Sequence, residues 1–325
     1  MAFRNAWLAV LACLLCVALA RPAVSGQVFI VGKDLDMKHH LYAFDRDGSF
    51  LWATQGPETT FQPNLYTSVA AYGNHVYVID KEEGVVEQFD LSGTYVGVFA
   101  DVAADLLAAT ATHIEFDSHG HLYVHGWHSR RAGRYDLASG DLTQTYSAPD
   151  ISYPYGIDAD ARGYVYVVND PGDEPEERVF RFSPAGALIE SFPLPEVWHP
   201  YDLAIDEGGE VLYLVDHAAG PMGANVVQAY SIEDASMGQH LRTIAVPGMI
   251  GAEGLHFEPT SGSLFVASYG GFPVEVDANG DVVTTYINFT PPFMVNCRDI
   301  AYIPEPATLA LLAFGGMALL LRRRK

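Results

Sequence analysis

The chain has 325 residues, of which 40 are Asp or Glu and only 18 are Lys or Arg, for a formal net charge of −22. A surface that acidic repels phosphates and argues against nucleic acid as a partner. Charged residues make up 18% of the chain and apolar residues 49%, which argues against intrinsic disorder.

Residues 1–25 read as a secretory signal peptide. Arg4 supplies the positive charge, residues 6–20 the apolar run, and Ala18, Ala20, Ala23 and Ser25 the small residues of a cleavage site. The run is short for a membrane span. Cys13 and Cys16 leave with the signal, so Cys297 alone remains and no internal disulfide can form. Packing must supply the stability.

From residue 27 to 303 one short pattern recurs. Its copies are Val28-Phe29-Ile30-Val31, Val76-Tyr77-Val78-Ile79, Leu122-Tyr123-Val124-His125, Val165-Tyr166-Val167-Val168, Leu212-Tyr213-Leu214-Val215 and Leu264-Phe265-Val266-Ala267. Each is β-branched or aromatic, lacks proline and is too short for a helix, so each reads as a buried strand. Another strand precedes most copies, beginning at Val69, Ile114, Ile157, Leu203 and Leu255. A third strand follows most copies and ends in an Asp/Ser/Gly turn such as Phe44 to Gly48 or Phe89 to Gly93. A fourth comes after the turn, as at 95–99. Four strands in about 46 residues make a propeller blade.

The first copy has no strand before it, and the chain end supplies a spare one, Asp299-Ile300-Ala301-Tyr302. That strand is expected beside Val28–Val31, where it would complete blade one and remove an exposed sheet edge. The expected fold is all-β, a six-bladed β-propeller with four-stranded blades, flanked by an N-terminal signal helix and a C-terminal membrane helix. The blades resemble NHL-type repeats, best at Pro154-Tyr155-Gly156-Ile157-Asp158-Ala159-Asp160 and Pro200-Tyr201-Asp202-Leu203-Ala204-Ile205-Asp206. The resemblance implies a fold and no activity.

After the last strand come Pro304-Glu305-Pro306, an apolar stretch to Leu321, and Arg322-Arg323-Arg324-Lys325. Proline blocks an earlier helix start, and the basic tail stays cytoplasmic. These three parts, at 304–325, closely resemble the PEP-CTERM sorting signal of Gram-negative and related bacteria. The resemblance implies recognition by an exosortase, removal of the tail near Pro304–Pro306, and an association with extracellular polysaccharide and biofilm. The expected location is the cell envelope or the extracellular space, after transient anchoring in the inner membrane. Signal peptidase and exosortase are the expected processing partners.

In a propeller the innermost strand of each blade lines the channel, and the residues just before it ring the mouth. Two positions before the first apolar residue stand Thr67, Thr112, Tyr155, Tyr201, Glu253 and Arg298; one position before stand Ser68, His113, Gly156, Asp202, Gly254 and Asp299. Three readings stay open. Arg298 pairs with Glu253 or Asp299 and plugs the channel, because buried charges need partners. Alternatively the mouth binds a sugar or peptide through Thr67, His113, Tyr155, Tyr201, Asp202, Glu253, Arg298 and Asp299. In the third reading Asp202, Glu253 and Asp299, with His113, hold a metal, and their oxygens suit Ca2+ or another divalent ion. No cofactor is demanded outright.

Glu253-Gly254-Leu255 is faintly similar to a motif of gluconolactonase-type hydrolases, but that family's polar partners are missing after Tyr155 and Asp202. The functional expectation is therefore an exported binding module for protein, peptide or polysaccharide, with a metal-dependent hydrolase or lyase in the channel as the alternative. Elsewhere, loop 125–131 offers arginines to an anionic sugar. The acidic loop 169–177 and His39-His40 are expected at the surface, and Cys297 as a buried thiol.

Overall fold

Each group of four strand-forming runs winds into one antiparallel blade. The computed structural model describes residues 26–54, 65–106, 111–126, 129–170, 177–206, 208, 210–219, 224–287 and 294–304. The signal helix, the membrane helix, Glu305, Pro306, Arg322, Arg323 and Arg324, together with Trp127, His128 and 171–176, lie outside the described residues. Among the described residues no helix is long and apolar enough to cross a membrane.

Blade one opens with β1 (Gly26–Lys33), β2 (His39–Asp45) and β3 (Phe50–Thr54). Blade two holds β4 (Tyr66–Tyr72), β5 (His75–Asp80), β6 (Val85–Asp90) and β7 (Tyr95–Asp101), followed by one short helix, α1 (Val102–Leu106). Blade three holds β8 (Ala111–Phe116), β9 (Leu122–Gly126), β10 (Arg131–Tyr135) and β11 (Leu142–Tyr146). Blade four holds β12 (Pro154–Ala159), β13 (Val165–Asn169), β14 (Arg178–Phe182) and β15 (Leu188–Pro193). Blade five holds β16 (Pro200–Asp206), β17 (Val211–Ala219), β18 (Ala224–Ser231) and β19 (His240–Ala245). Blade six holds β20 (Ala252–Glu258), β21 (Ser263–Ser268), β22 (Val274–Val276) and β23 (Val282–Thr285). Last comes β24 (Val295–Pro304), which joins the first sheet in the order β24-β1-β2-β3. The chain end thus closes the ring, as the spare strand required.

Burial peaks in the second strand of each blade and falls toward the outermost. Strands β9 and β13 are buried at every position, whereas the outer strand β7 alternates half-buried with exposed residues. Continuous apolar runs therefore mark the second strands, and alternation marks the fourth. The turns between third and fourth strands depend on glycine at positive φ, as at Gly48 (89°) and Gly93 (84°).

Among the described residues, five apolar clusters lie between neighbouring blades. Leu214 and Tyr230 of blade five, for example, pack on Tyr166 and Val179 of blade four. At the seam, Val28 and Ile30 of blade one pack with Phe265 of blade six and with Ile300 and Cys297 of β24. Arg46 bolts the same seam. Its guanidinium donates to Glu275 (3.1 Å) and Glu258 (3.2 Å) of blade six and lies 5.0 Å from the Tyr302 ring of β24. Residues Val28–Tyr302 form one compact unit.

Two surface expectations fail. His39 and His40 are buried, because His39 bonds the Tyr66 carbonyl (2.8 Å) and His40 bonds Asp34 (3.0 Å). Asn169 and Asp170, at the start of the acidic loop, are buried too, since Asn169 accepts the N–H groups of Ser152 and Tyr153 (both 2.9 Å).

Candidate functional site: the channel mouth

The inner strands β24, β4, β8, β12, β16 and β20 surround the channel. Five of them break register with the second strand near their start, at Tyr66/Val69, Ala111/His113, Pro154/Ile157, Pro200/Asp202 and Ala252/Gly254. A bulge drops residues out of the ladder and re-aims their side chains. Here the released residues include Thr67, Thr112, Tyr155, Tyr201 and Glu253, which together with Arg298 of β24 line a cavity of about 220 Å³. His113 and Lys81 complete its wall. Lys81, from the turn after β5, is the lining residue that the strand count misses, because it belongs to no inner strand.

Arg298 donates to both Glu253 oxygens (2.8 and 3.1 Å) and lies 5.0 Å from the Tyr269 ring. Tyr155 and Tyr201 meet at 4.9 Å, and His217 stacks on Tyr201 at 4.6 Å. Burial and then the Arg298 charge hold Lys33 and Lys81 below the usual lysine range. Burial pushes the Glu253 carboxyl up to about 7, against the pull of Arg298.

Beneath the mouth lies a buried polar layer. Asp299 accepts the Val69 N–H (2.9 Å), Ser68 that of Ile114 (3.0 Å), Asp158 that of Ile205 (2.8 Å) and Asp202 that of Leu255 (2.7 Å). Each of these bonds runs from one blade to the next and satisfies an inward N–H that the inner edge would leave unpaired. Gly156 and Gly254 make room: a Cβ there would meet the Asp202 Cα at 2.7 Å and the Asp299 Cα at 2.5 Å.

His113 stands between two of these carboxylates. Nε2 is 2.9 Å from Asp202 and Nδ1 is 3.8 Å from Asp299. Burial disfavours its charge, but Asp202 and Asp299 outweigh burial and push the imidazole up to about 10. Burial in turn raises both aspartates above the carboxylate range against the His113 charge.

His113, Asp202 and Asp299 are also the group, among the described residues, whose donor atoms could hold a metal. Glu253 stands outside that group, engaged by Arg298. One nitrogen and two carboxylates suit a divalent ion, yet both aspartates already accept backbone N–H bonds. Elsewhere His125 stacks on His113 (ring centroids 5.8 Å), His199 faces Asp170 (3.3 Å) and His256 faces Glu115 (3.7 Å). Burial holds the Cys297 thiol well above its usual range, unsuited to a nucleophile.

Residues 303–325 match the model of the PEP-CTERM protein-sorting motif. The protein bears a PEP-CTERM sorting signal. That signal marks the chain for export with membrane-anchored sorting at its C-terminus. No curated protein matches the chain.

Among solved structures, its propeller is similar to a chain of a nidogen/laminin complex (13% identity, TM-score 0.61, 86% of this chain and 98% of that one). It is also similar to a protein of unknown function from Bacteroides caccae (15%, 0.62, 86% and 100%). A virginiamycin B lyase from Staphylococcus aureus, crystallised with quinupristin, is similar at 15% identity with TM-score 0.51, over 72% of this chain and 73% of that one. Identities this low establish the fold alone.

Proposed function

We propose that the protein is an exported binding module that takes its ligand, a protein, peptide or polysaccharide, at the mouth of the propeller channel. One observation carries the reading. All six blades contribute a side chain to one polar cavity, and bulges direct five of them there. Thr67, His113, Tyr155, Tyr201, Glu253 and Arg298 would touch the ligand. Asp202 and Asp299 would hold the frame beneath it. Signal peptidase would remove 1–25 and an exosortase would cut near Pro304–Pro306, leaving the propeller in the envelope or the matrix.

Saturable binding on glycan and peptide arrays tests the reading. It should survive chelator and be lost in Arg298→Gln and Tyr201→Ala. Array binding that both variants retain would place the ligand elsewhere.

A second reading has its own support. His113, Asp202 and Asp299 could hold a divalent metal, and the fold is shared with a lyase. A channel-based hydrolase or lyase would then depend on added metal, and its activity would vanish in Asp202→Asn.

A further inference from the structure

The exposed aromatic side chains of the propeller sit together. Among the described residues they are Tyr153, Trp198, Tyr269 and Phe272. All four lie on the mouth face of blades four, five and six, whose inner strands β12, β16 and β20 are in contact in that order. Tyr153 precedes β12, and its carbonyl accepts the Asp170 N–H (3.0 Å) just past the end of β13. Trp198 precedes β16 and donates its N–H to Asp216 of β17 (3.2 Å). Tyr269 follows β21, donates its N–H to the Gly251 carbonyl (2.8 Å) and lies against Arg298. Phe272 stands between Tyr269 and β22. Other exposed large apolar side chains, such as Val96, Val98 and Ile189, are aliphatic and sit on the outermost strands.

The aromatic rim continues into the cavity on the same side. Tyr155 and Tyr201 of blades four and five meet in its wall at 4.9 Å, and His217 stacks on Tyr201 at 4.6 Å. The wall from blades two and three is polar instead, with Thr67 and Thr112. Arg298 and Glu253 are engaged with each other through both carboxylate oxygens. Thr67 Oγ1 and His217 Nδ1 are buried and have no hydrogen-bond partner. Buried polar atoms are nearly always satisfied, so these two mark places for a ligand hydroxyl.

We infer, resting on the binding reading above, that the mouth takes an uncharged polysaccharide, with sugar rings stacked on the rim aromatics and the hydroxyls of one sugar on the Arg298–Glu253 pair. A sugar ring has a face of C–H groups and an edge of hydroxyls. The C–H face matches the electron-rich face of an aromatic ring. Each hydroxyl both donates and accepts, so a guanidinium beside a carboxylate serves neighbouring hydroxyls and asks no charge of the ligand. Charge decides against a uronate polymer, which would set a row of anions against a protein of net −22. The backbone decides against a peptide. An extended peptide docks along an open strand edge, whereas the inward N–H groups of Val69, Ile114, Ile205 and Leu255 are already taken by Asp299, Ser68, Asp158 and Asp202.

The test uses the full-length chain, immobilised in mild detergent. It is offered hexasaccharides of glucose, mannose, galactose and N-acetylglucosamine, a hexasaccharide of galacturonate, and a randomised pentapeptide pool. At least one uncharged hexasaccharide should be retained, and more tightly than its own disaccharide, because the rim extends beyond the cavity. Trp198→Ala and Phe272→Ala, confined to exposed side chains, should each weaken that retention about tenfold, a difference of about 1.4 kcal/mol. Both should keep the melting temperature of the parent chain.

Retention of uncharged sugars that both variants leave intact overturns the inference. If the uronate or the peptides are retained instead, and lost in Arg298→Gln, the channel-mouth reading survives and the uncharged-polysaccharide assignment falls. If none of the three classes is retained, both fall.

Discussion

His113 Nε2 lies 2.9 Å from Asp202 Oδ1, although their strands belong to blades three and five. Gly156, at the equivalent position of blade four, lets the Asp202 backbone approach, since a Cβ there would meet the Asp202 Cα at 2.7 Å. With Asp299 of blade one on its other nitrogen, His113 ties three alternate blades across the channel. Replacing it by Asn should leave two buried carboxylates without their cation. A loss of about 3–5 kcal/mol is expected from urea unfolding. A loss under about 1 kcal/mol would show the histidine to be peripheral.

The mouth and the layer beneath it set an unusual pH dependence. Folded Glu253 keeps its proton to about pH 7, while the unfolded chain releases it near 4.5, so stability falls as pH rises through that window. Raised Asp299 acts in the same direction. His113 contributes stability that is full below pH 6.5 and is lost as pH rises through about 10. His39, His125 and His217, which burial holds below the usual histidine range, oppose this up to about pH 6.5, and Asp47 and Asp277, held down by the N–H groups of Ser49 and Asn279, oppose it only below about pH 4. Thermal melts should therefore be higher at pH 5 than at pH 8, and Glu253→Gln should flatten the slope between pH 5 and 7. A maximum at pH 8 would contradict these protonation states.

Metal dependence separates the two functional readings. A metal bound by the folded state alone stabilises it by RT ln(1 + [L]/Kd). The binding-module reading expects melting to be unchanged by chelator and by restored Ca2+ or Zn2+. A rise with either ion that is absent in Asp202→Asn would favour the metal-dependent enzyme.

Arg46 makes a local prediction at the seam. Its guanidinium holds Glu275 and Glu258 and covers the Tyr302 ring. Arg46→Met should strand those two buried carboxylates and cost about 3–5 kcal/mol. Restoring neutrality with Glu275→Gln/Glu258→Gln in the same chain should recover part of that loss, read as the midpoint of urea unfolding.

The second strands were legible because burial on both faces writes a continuous apolar run, as in Val165-Tyr166-Val167-Val168. The closing strand was legible because β1 lacked a partner. Strand β18 was not, since the residues after it turn through Ser236 and Gly238 without the short Asp-Gly signature of the other blades. The mouth ring could be counted from inner-strand positions, but not the bulges that aim it, which depend on pairing rather than composition. Lys81 escaped because it belongs to the turn after β5 and to no inner strand, and the direct His113–Asp202 contact because it joins elements far apart in the chain. His39 looked like a surface residue because its partner, the Tyr66 carbonyl, belongs to the next blade.

Arg298 and Asp299 are carried by β24, the strand that joins blade one from the far end of the described chain. Until it docks beside β1, five blades' worth of mouth residues surround a gap with neither the guanidinium nor the central carboxylate. A chain truncated before residue 295 would lose its ring closure and the Arg298–Glu253 pair together. One strand thus supplies both the closure of the sheet ring and two of the charges that organise its centre.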